Sequence, residues 1–113
     1  MVSRPAAPDR GDLVWTNFTP QSGREQAGRR PGLVLSKRLY NERSGLALVC
    51  RVTSRRKGYP FEVVLPEVGP IRGVVLTDHV RSVDWASRQA EAAGRAPPAV
   101  VEDVLRRVKL LLD

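Results

Sequence analysis

Three residues of this chain have side chains that together could do phosphate chemistry: Arg30, Thr53 and Glu25. An arginine fork matches the geometry of a phosphate group, a hydroxyl can bond a non-bridging phosphate oxygen, and a carboxylate can accept a proton. In RNA the ribose 2′-OH can attack its own phosphate, so that proton must be removed, charge on phosphorus stabilised and the 5′-oxygen helped to leave. Each residue could also be a solvated surface residue or a sheet-edge hydroxyl. The residue types therefore permit metal-independent RNA cleavage.

Arg30 lies where a polar segment passes into an apolar, β-prone run. Residues 23–28 begin and end with glycine, which is typical of a loop, and residues 32–36 predict a strand. Pro31 biases the residue before it toward extended backbone. We therefore expect the Arg30 guanidinium to project from the start of a strand.

The positive charge of the chain is uneven. The formal net charge is +7, but residues 1–60 carry 12 basic and 4 acidic side chains, whereas residues 61–113 carry 7 and 8. A positive field around residues 23–36 and 51–57 favours a polyanion, and nucleic acid is the leading class of partner. A GC-rich coding bias would also enrich arginine.

Other chemistries are poorly supplied. The chain has one histidine, His79, and one cysteine, Cys50, which follows apolar residues and is expected to be buried. It has no metal-ligand spacing, no G-x-S-x-G elbow and no Walker A or G-x-G-x-x-G fingerprint, so no metal or cofactor is expected. With neither a membrane-length apolar run nor a signal-peptide core, we expect a cytoplasmic protein.

The pattern of elements predicts a mainly β fold. Short strands are predicted over residues 12–18, 32–36, 46–53, 61–65, 71–76 and 80–85. Their close spacing leaves no room for helical crossovers and favours a strongly bent antiparallel sheet or barrel. A short surface helix is predicted over 37–44, at most a turn or two of helix over 88–93, and a C-terminal amphipathic helix over 98–112. Residues 1–10 are expected to be a flexible arm, and residues 11–113 a single domain.

Several further residues are candidates for RNA contact. An amide can read base edges, cations can bind phosphates and aromatic rings can stack on bases. Each could equally pack a turn or be a solvated charge, and Phe18 could belong to the core. The RNA-binding candidates are Gln26, Arg29, Arg55, Arg56, Lys57, Tyr59 and Phe18.

Four blocks of the sequence resemble the MazF family of toxin endoribonucleases. They are Gly-Asp-Leu-Val-Trp at 11–15, Gly-x-Glu-Gln-Ala-Gly-x-Arg-Pro at 23–31, Lys-Gly-Tyr-Pro-Phe-Glu-Val-Val-Leu at 57–65 and Asp-x-Val-x-Ser at 78–82. Their order and spacing match nearly end to end. The loop 54–57 is more basic than in the enterobacterial member, and His79 stands where that member has glutamine, so its ACA-type specificity is not carried over.

The resemblance implies a small, SH3-like, partly open antiparallel barrel of the MazF/CcdB type with a C-terminal helix. It also implies a homodimer that cleaves single-stranded RNA without a metal, leaves a 2′,3′-cyclic phosphate, and is inhibited by a MazE-like antitoxin with an acidic, disordered tail. Arg30 and Thr53 match the catalytic arginine and threonine of the family, and Glu25 matches the loop glutamate, the proposed base.

Two other functions are compatible with the same fold. A CcdB-like toxin poisons DNA gyrase by binding it, and a non-catalytic barrel would bind RNA without cutting it. A gyrase binder has no need of a basic surface carrying Arg30, Glu25 and Thr53.

Overall fold

The computed structural model of the chain describes residues 6–18 and 29–113. Within these ranges the elements follow in the order β1 (Asp12–Asn17), β2 (Arg29–Val34), α1 (Arg38–Ser44), β3 (Ala47–Thr53), β4 (Glu62–Val68), β5 (Ile71–Val83), β6 (Glu91–Arg95) and α2 (Pro98–Leu110). The strands form one antiparallel sheet in the order β4-β5-β3-β2-β1-β6. The mainly β architecture with a C-terminal helix is confirmed.

The sheet curls until its two edge strands approach each other. Gly94 of β6 lies so close to Val68 of β4 that a Cβ on the glycine would stand 2.8 Å from Val68 Cγ1. The sheet order pairs neither of these edge strands with the other. The result is the partly open barrel that the family resemblance implied, with β3 as one of its central strands.

The larger of two buried apolar clusters lies under α2. Val100, Val101 and Val104 of the helix are at most 9% exposed and pack with strand residues such as Leu33 and Ile71. Complete burial of a valine or leucine side chain contributes about 1.5–3 kcal/mol. The apolar face of the predicted amphipathic helix thus packs on the sheet, although Leu111 and Leu112 lie beyond the last helical residue and are exposed.

The second cluster packs on the other face of the strands. It joins Val34 and Val49 to Ala7 and Trp85, whose indole Nε1 donates to the Asn41 carbonyl at 3.0 Å and so ties α1 to the sheet. Ala7 is only 5% exposed, so part of the predicted arm packs on the domain. The division into residues 1–10 and 11–113 stays a prediction.

One long strand replaces the two strands predicted over 71–76 and 80–85. β5 runs through the intervening residues 77–79, and its register with β3 shifts by three positions between Cys50–Val80 and Val52–Val75. Such a bulge lets a strand bend without ending. The prediction of a break was wrong because the polar residues lie in a bulge within the strand.

The sixth strand lies where a turn or two of helix was predicted. Residues 91–95 form β6 against the free edge of β1, with Trp15 opposite Glu91. Alanine and glutamate favour a helix locally. The unpaired N–H and C=O groups at the edge of β1 offer hydrogen bonds to another strand, and this pairing outweighs the local preference.

The remaining elements agree with prediction to within a few residues. β2 begins at Arg29, three residues earlier than predicted, because pairing with β1 extends through Arg30 and Arg29. No helix among the described residues is long and apolar enough to cross a membrane.

Candidate functional site

Arg30 and Thr53 line one cleft at the end of the central strands. The cleft has a volume of about 560 Å³ and lies between β2, β3 and the start of β5. Gly32 pairs with Arg51 in the β2–β3 register, so two residues further along each strand Arg30 and Thr53 reach neighbouring positions on the same face. The sheet therefore brings together two of the three predicted catalytic residues.

The walls of this cleft carry a concentration of positive charge. Besides Arg30, the cleft is lined by Arg51, Arg55 and Arg72, and its apolar wall includes Trp15. Four arginines that line one concave surface create a field that favours an anionic ligand. Arginine forks bind phosphate bidentately, so the cleft suits a phosphodiester.

The Thr53 hydroxyl lies at the end of β3, where the chain leaves the sheet. Its Oγ1 accepts a hydrogen bond from the Arg55 backbone N–H at 3.1 Å. The hydroxyl hydrogen can still be donated, so Thr53 can bond a phosphate oxygen while it orders the following loop.

The backbone of Thr53 is seated against a glycine of β5. Gly73 has φ +123°, and a Cβ there would lie 2.1 Å from the Thr53 carbonyl oxygen. Only glycine allows such an approach. The absence of a side chain at Gly73 thus allows β5 to lie directly against the end of β3, and this contact sets the position of Thr53.

A second cavity of about 280 Å³ adjoins the basic loop after β3. It shares Arg51, Thr53 and Arg55 with the cleft, and Lys57, Tyr59, Phe61 and His79 are among its other lining residues. The Lys57 ammonium stands 5.9 Å from the centre of the Tyr59 ring. Exposed rings beside cations are suited to unstacked bases and their phosphates.

Glu62, at the start of β4, holds the basic loop in place. Its carboxylate accepts hydrogen bonds from the backbone N–H groups of Gly58 at 2.9 Å and Lys57 at 3.1 Å. A carboxylate that accepts bonds from two successive N–H groups fixes the backbone between them. The loop is therefore anchored from the neighbouring strand.

Other predicted site residues lie elsewhere. Arg29 is 13% exposed; its Nη2 donates to the Trp15 and Gln89 carbonyls and pairs with Glu91 at 3.1 Å, joining β2 to the β6 region. Phe18 packs on the second apolar cluster. Arg29, Arg56 and Phe18 line neither cavity, and Glu25 and Gln26 lie outside the described residues.

Three residues of the site were missed from the sequence: Arg51, Arg72 and Glu62. Arg51 had a readable signal, because residues two apart on a strand share a face and Arg51 precedes Thr53 by two. Arg72 and Glu62 had none, since only strand pairing and the turn before β5 bring them to the cavities.

The single cysteine is chemically inert in this fold. Cys50 is fully buried, and its desolvation raises the pKa of the thiol to about 12, so that the thiolate is scarce at neutral pH. Among residues 6–18 and 29–113, no group of three or more His, Cys, Asp or Glu side chains is placed to hold a metal ion.

Comparison with known proteins identifies a family of toxins. The family described as PemK-like, MazF-like toxin of type II toxin-antitoxin system matches residues 9–112. The endoribonuclease toxin MazF of Escherichia coli K12 is 44% identical over 113 residues, covering 99% of each chain.

Solved structures agree with the sequence comparison. The Form-I crystal structure of MazF from Deinococcus radiodurans superposes with a TM-score of 0.85 at 56% identity, covering 96% of this chain and 98% of that chain. A chain of the Form-II MazE–MazF structure from the same organism gives a TM-score of 0.84 at 51% identity, covering 96% and 97%. The chain therefore belongs to the PemK-like, MazF-like family of toxins of type II toxin–antitoxin systems.

Proposed function

We propose that this protein is a sequence-specific endoribonuclease, the toxin of a type II toxin–antitoxin pair. It cleaves single-stranded RNA, including mRNA, by attack of the ribose 2′-OH on the adjacent phosphate, leaving a 2′,3′-cyclic phosphate and arresting translation and growth. The observation that carries this proposal is that Arg30 and Thr53 line the same arginine-rich cleft. Relatives named as endoribonucleases, including MazF, support it.

In this mechanism the scissile phosphate lies between Arg30 and Thr53. The Arg30 guanidinium stabilises the charge that develops on the phosphoryl oxygens and donates a proton to the leaving 5′-oxygen, while the Thr53 hydroxyl bonds a non-bridging oxygen. Glu25 is assigned as the base that accepts the 2′-OH proton, on its sequence position alone.

We also propose that the toxin works as a cytoplasmic homodimer inhibited by a MazE-like antitoxin. The Deinococcus MazF relative was crystallised with MazE. An antitoxin with an acidic, disordered tail would complement a chain of net charge +7 and an arginine-lined cleft. Long-range attraction of this kind speeds association and is screened by salt, so the association rate should fall as ionic strength rises. An association rate, measured by stopped flow, that does not change with ionic strength would contradict the acidic-tail proposal.

Cleavage is tested with a long single-stranded RNA that contains all short sequence words, incubated in EDTA and mapped by primer extension. Wild type should give discrete cuts, and Arg30→Ala and Thr53→Ala should each lower the cleavage rate by about 10²–10³-fold, as expected when a transition-state donor is removed. Arg43→Ala on α1 is the matched control, since it removes one positive charge from a residue that lines neither cavity.

Each competing function predicts a different result. Growth arrest with every RNA intact would favour gyrase binding. Tight RNA binding without cuts by wild type would favour a non-catalytic RNA-binding barrel. Equal cleavage rates for wild type and Arg30→Ala would show that Arg30 has no part in the mechanism.

A further inference from the structure

Arg51 forms part of the wall shared by the cleft and the second cavity. It stands on β3 two residues before Thr53, and it is among the residues that line both spaces. The lining that the two spaces share consists of Arg51, Thr53 and Arg55, so a ligand that extends from one space into the other would run along these residues. Arg51 is therefore placed between two subsites, whereas Arg30 contributes to the cleft alone.

The guanidinium of Arg51 has an unsatisfied donor. Its Nε is buried, and within residues 6–18 and 29–113 the atom has no hydrogen-bond partner; the ion pairs of these residues do not include Arg51 either. A buried donor without a partner destabilises a fold, and such donors are rare in native proteins. A role in ligand binding explains why an arginine occupies this position although its buried donor destabilises the fold.

The bulge in β5 builds the second cavity opposite Arg51. The β3–β5 register shifts between Cys50 and Val52, on either side of Arg51, and the residues inserted in β5 include Leu76, Asp78 and His79, which all line that cavity. Bulges commonly re-aim side chains next to binding sites. The same local irregularity therefore opens a pocket and leaves Arg51 at its border.

We propose that Arg51 is an RNA-binding residue that holds the backbone phosphate next to the scissile one, with the adjoining base in the second cavity. This rests on the proposed endoribonuclease function and deepens it, because it fixes the register of the RNA relative to Arg30 and Thr53. A planar fork can bond two oxygens of one phosphate, which suits a residue between two nucleotide sites. The exposed Tyr59 and Phe61 rings offer the base a stacking surface.

The test measures binding, cleavage and folding of Arg51→Met, which keeps much of the side-chain volume but removes the charge and the buried donor. The probe is a short RNA with the mapped recognition sequence and a deoxynucleotide at the cut site, so that it binds without being cleaved. Arg43→Met on α1 is the control for loss of one surface charge.

Four results are expected together. Arg51→Met should bind the probe about tenfold more weakly at low salt, and its slope of log affinity against log salt should be shallower by about 0.7, the loss of one phosphate contact on a single strand. For cleavable RNA, KM should rise more than kcat falls. The melting temperature should equal or exceed that of wild type, because a buried unsatisfied donor has been removed.

A structural arginine gives the opposite signature. A lower melting temperature with an unchanged salt slope would overturn the proposal, as would weakened antitoxin binding with unchanged RNA binding. If Arg51→Met fails to fold, the test is made with Arg51→Lys, which keeps the charge but not the planar guanidinium. This variant should keep the wild-type salt slope and cleave RNA less efficiently. Cleavage with wild-type efficiency would refute bidentate phosphate binding by Arg51. If wild-type protein neither cuts nor binds RNA, the proposed function itself fails, and that result is distinct from a failure of Arg51 alone.

Discussion

Replacing Gly73 by alanine tests whether the position of Thr53 controls activity. Gly73 has φ +123°, and an added Cβ would lie 2.1 Å from the Thr53 carbonyl oxygen and 2.8 Å from Ser54 Cα. Contacts of a Cβ below 3.0 Å essentially never occur in real proteins, and both of these neighbours are backbone atoms. The end of β3 must therefore move away from β5, and it carries Thr53 with it.

The magnitude follows from the geometry. An ordinary contact begins at 3.4 Å, so restoring one requires a displacement of about 1.3 Å at the Thr53 carbonyl. A misplacement of about 1 Å in a catalytic group can lower the rate roughly 100-fold. Positive φ at a residue with a Cβ adds about 1–3 kcal/mol of strain. We therefore expect kcat to fall about 100-fold and the free energy of unfolding to fall by about 2–3 kcal/mol.

Cleavage should be measured well below the melting temperature, so that both proteins are folded and the rate reports geometry. Gly69→Ala is the matched control: it also places alanine at positive φ, +56°, but an added Cβ meets nothing within 4 Å. It should cost about 1 kcal/mol of stability and leave kcat within twofold of wild type. Equal kcat for Gly73→Ala and Gly69→Ala would refute the role of the Gly73 contact.

Three other changes have definite expected outcomes. Glu62→Ala should loosen the basic loop and raise KM about fivefold, worth roughly 1 kcal/mol, with kcat unchanged; Glu67→Ala, on the same strand, is the control, and equal KM values for both would contradict the anchor. Leu105→Asp puts a charge against the larger apolar cluster and should unfold or monomerise the protein, so unchanged elution and melting would argue against it. Asp9 accepts the Arg38 backbone N–H, which is the main reason that its pKa lies below the usual 3.8. Its stabilising contribution is complete above pH 3.8 and is lost as the pH falls through the lower folded-state pKa, so the melting-temperature gap between wild type and Asp9→Ala should close in acid, and a pH-independent gap would contradict this.

Much of the fold follows from local patterns in the sequence. The helical stripe from Val100 to Val108 has one period and one apolar face, and the mostly apolar run before Thr53 favours a central strand. The burial of Cys50 also follows from local sequence, because its neighbours in the chain are apolar.

The secondary-structure predictions were wrong where strand pairing outweighs the local propensity of the sequence. Residues 88–93 have a weak helical preference, yet the segment that follows Ala90 joins the open edge of β1. Residues 77–79 have a turn-like composition, yet the residues on either side of them pair with β3, and the Thr77 N–H donates to the Phe61 carbonyl, so they lie within one continuous strand. In both cases hydrogen-bonding groups from a distant part of the chain decide the outcome, and no local window of sequence contains them.

For the site, residue types and their spacing are enough to predict which chemistry is available: Arg30 beside a strand start, a hydroxyl at the end of β3, and a basic loop that follows it. The shared cleft of Arg30 and Thr53, the anchoring of the loop by Glu62 and the position of Arg51 at the border of two cavities are visible only in the folded chain. Residue type and spacing fix what a side chain can do and which face of its strand it occupies. Strand register, the bulge in β5 and the close approach at Gly73 fix what lies opposite it, and these depend on contacts between residues far apart in the chain.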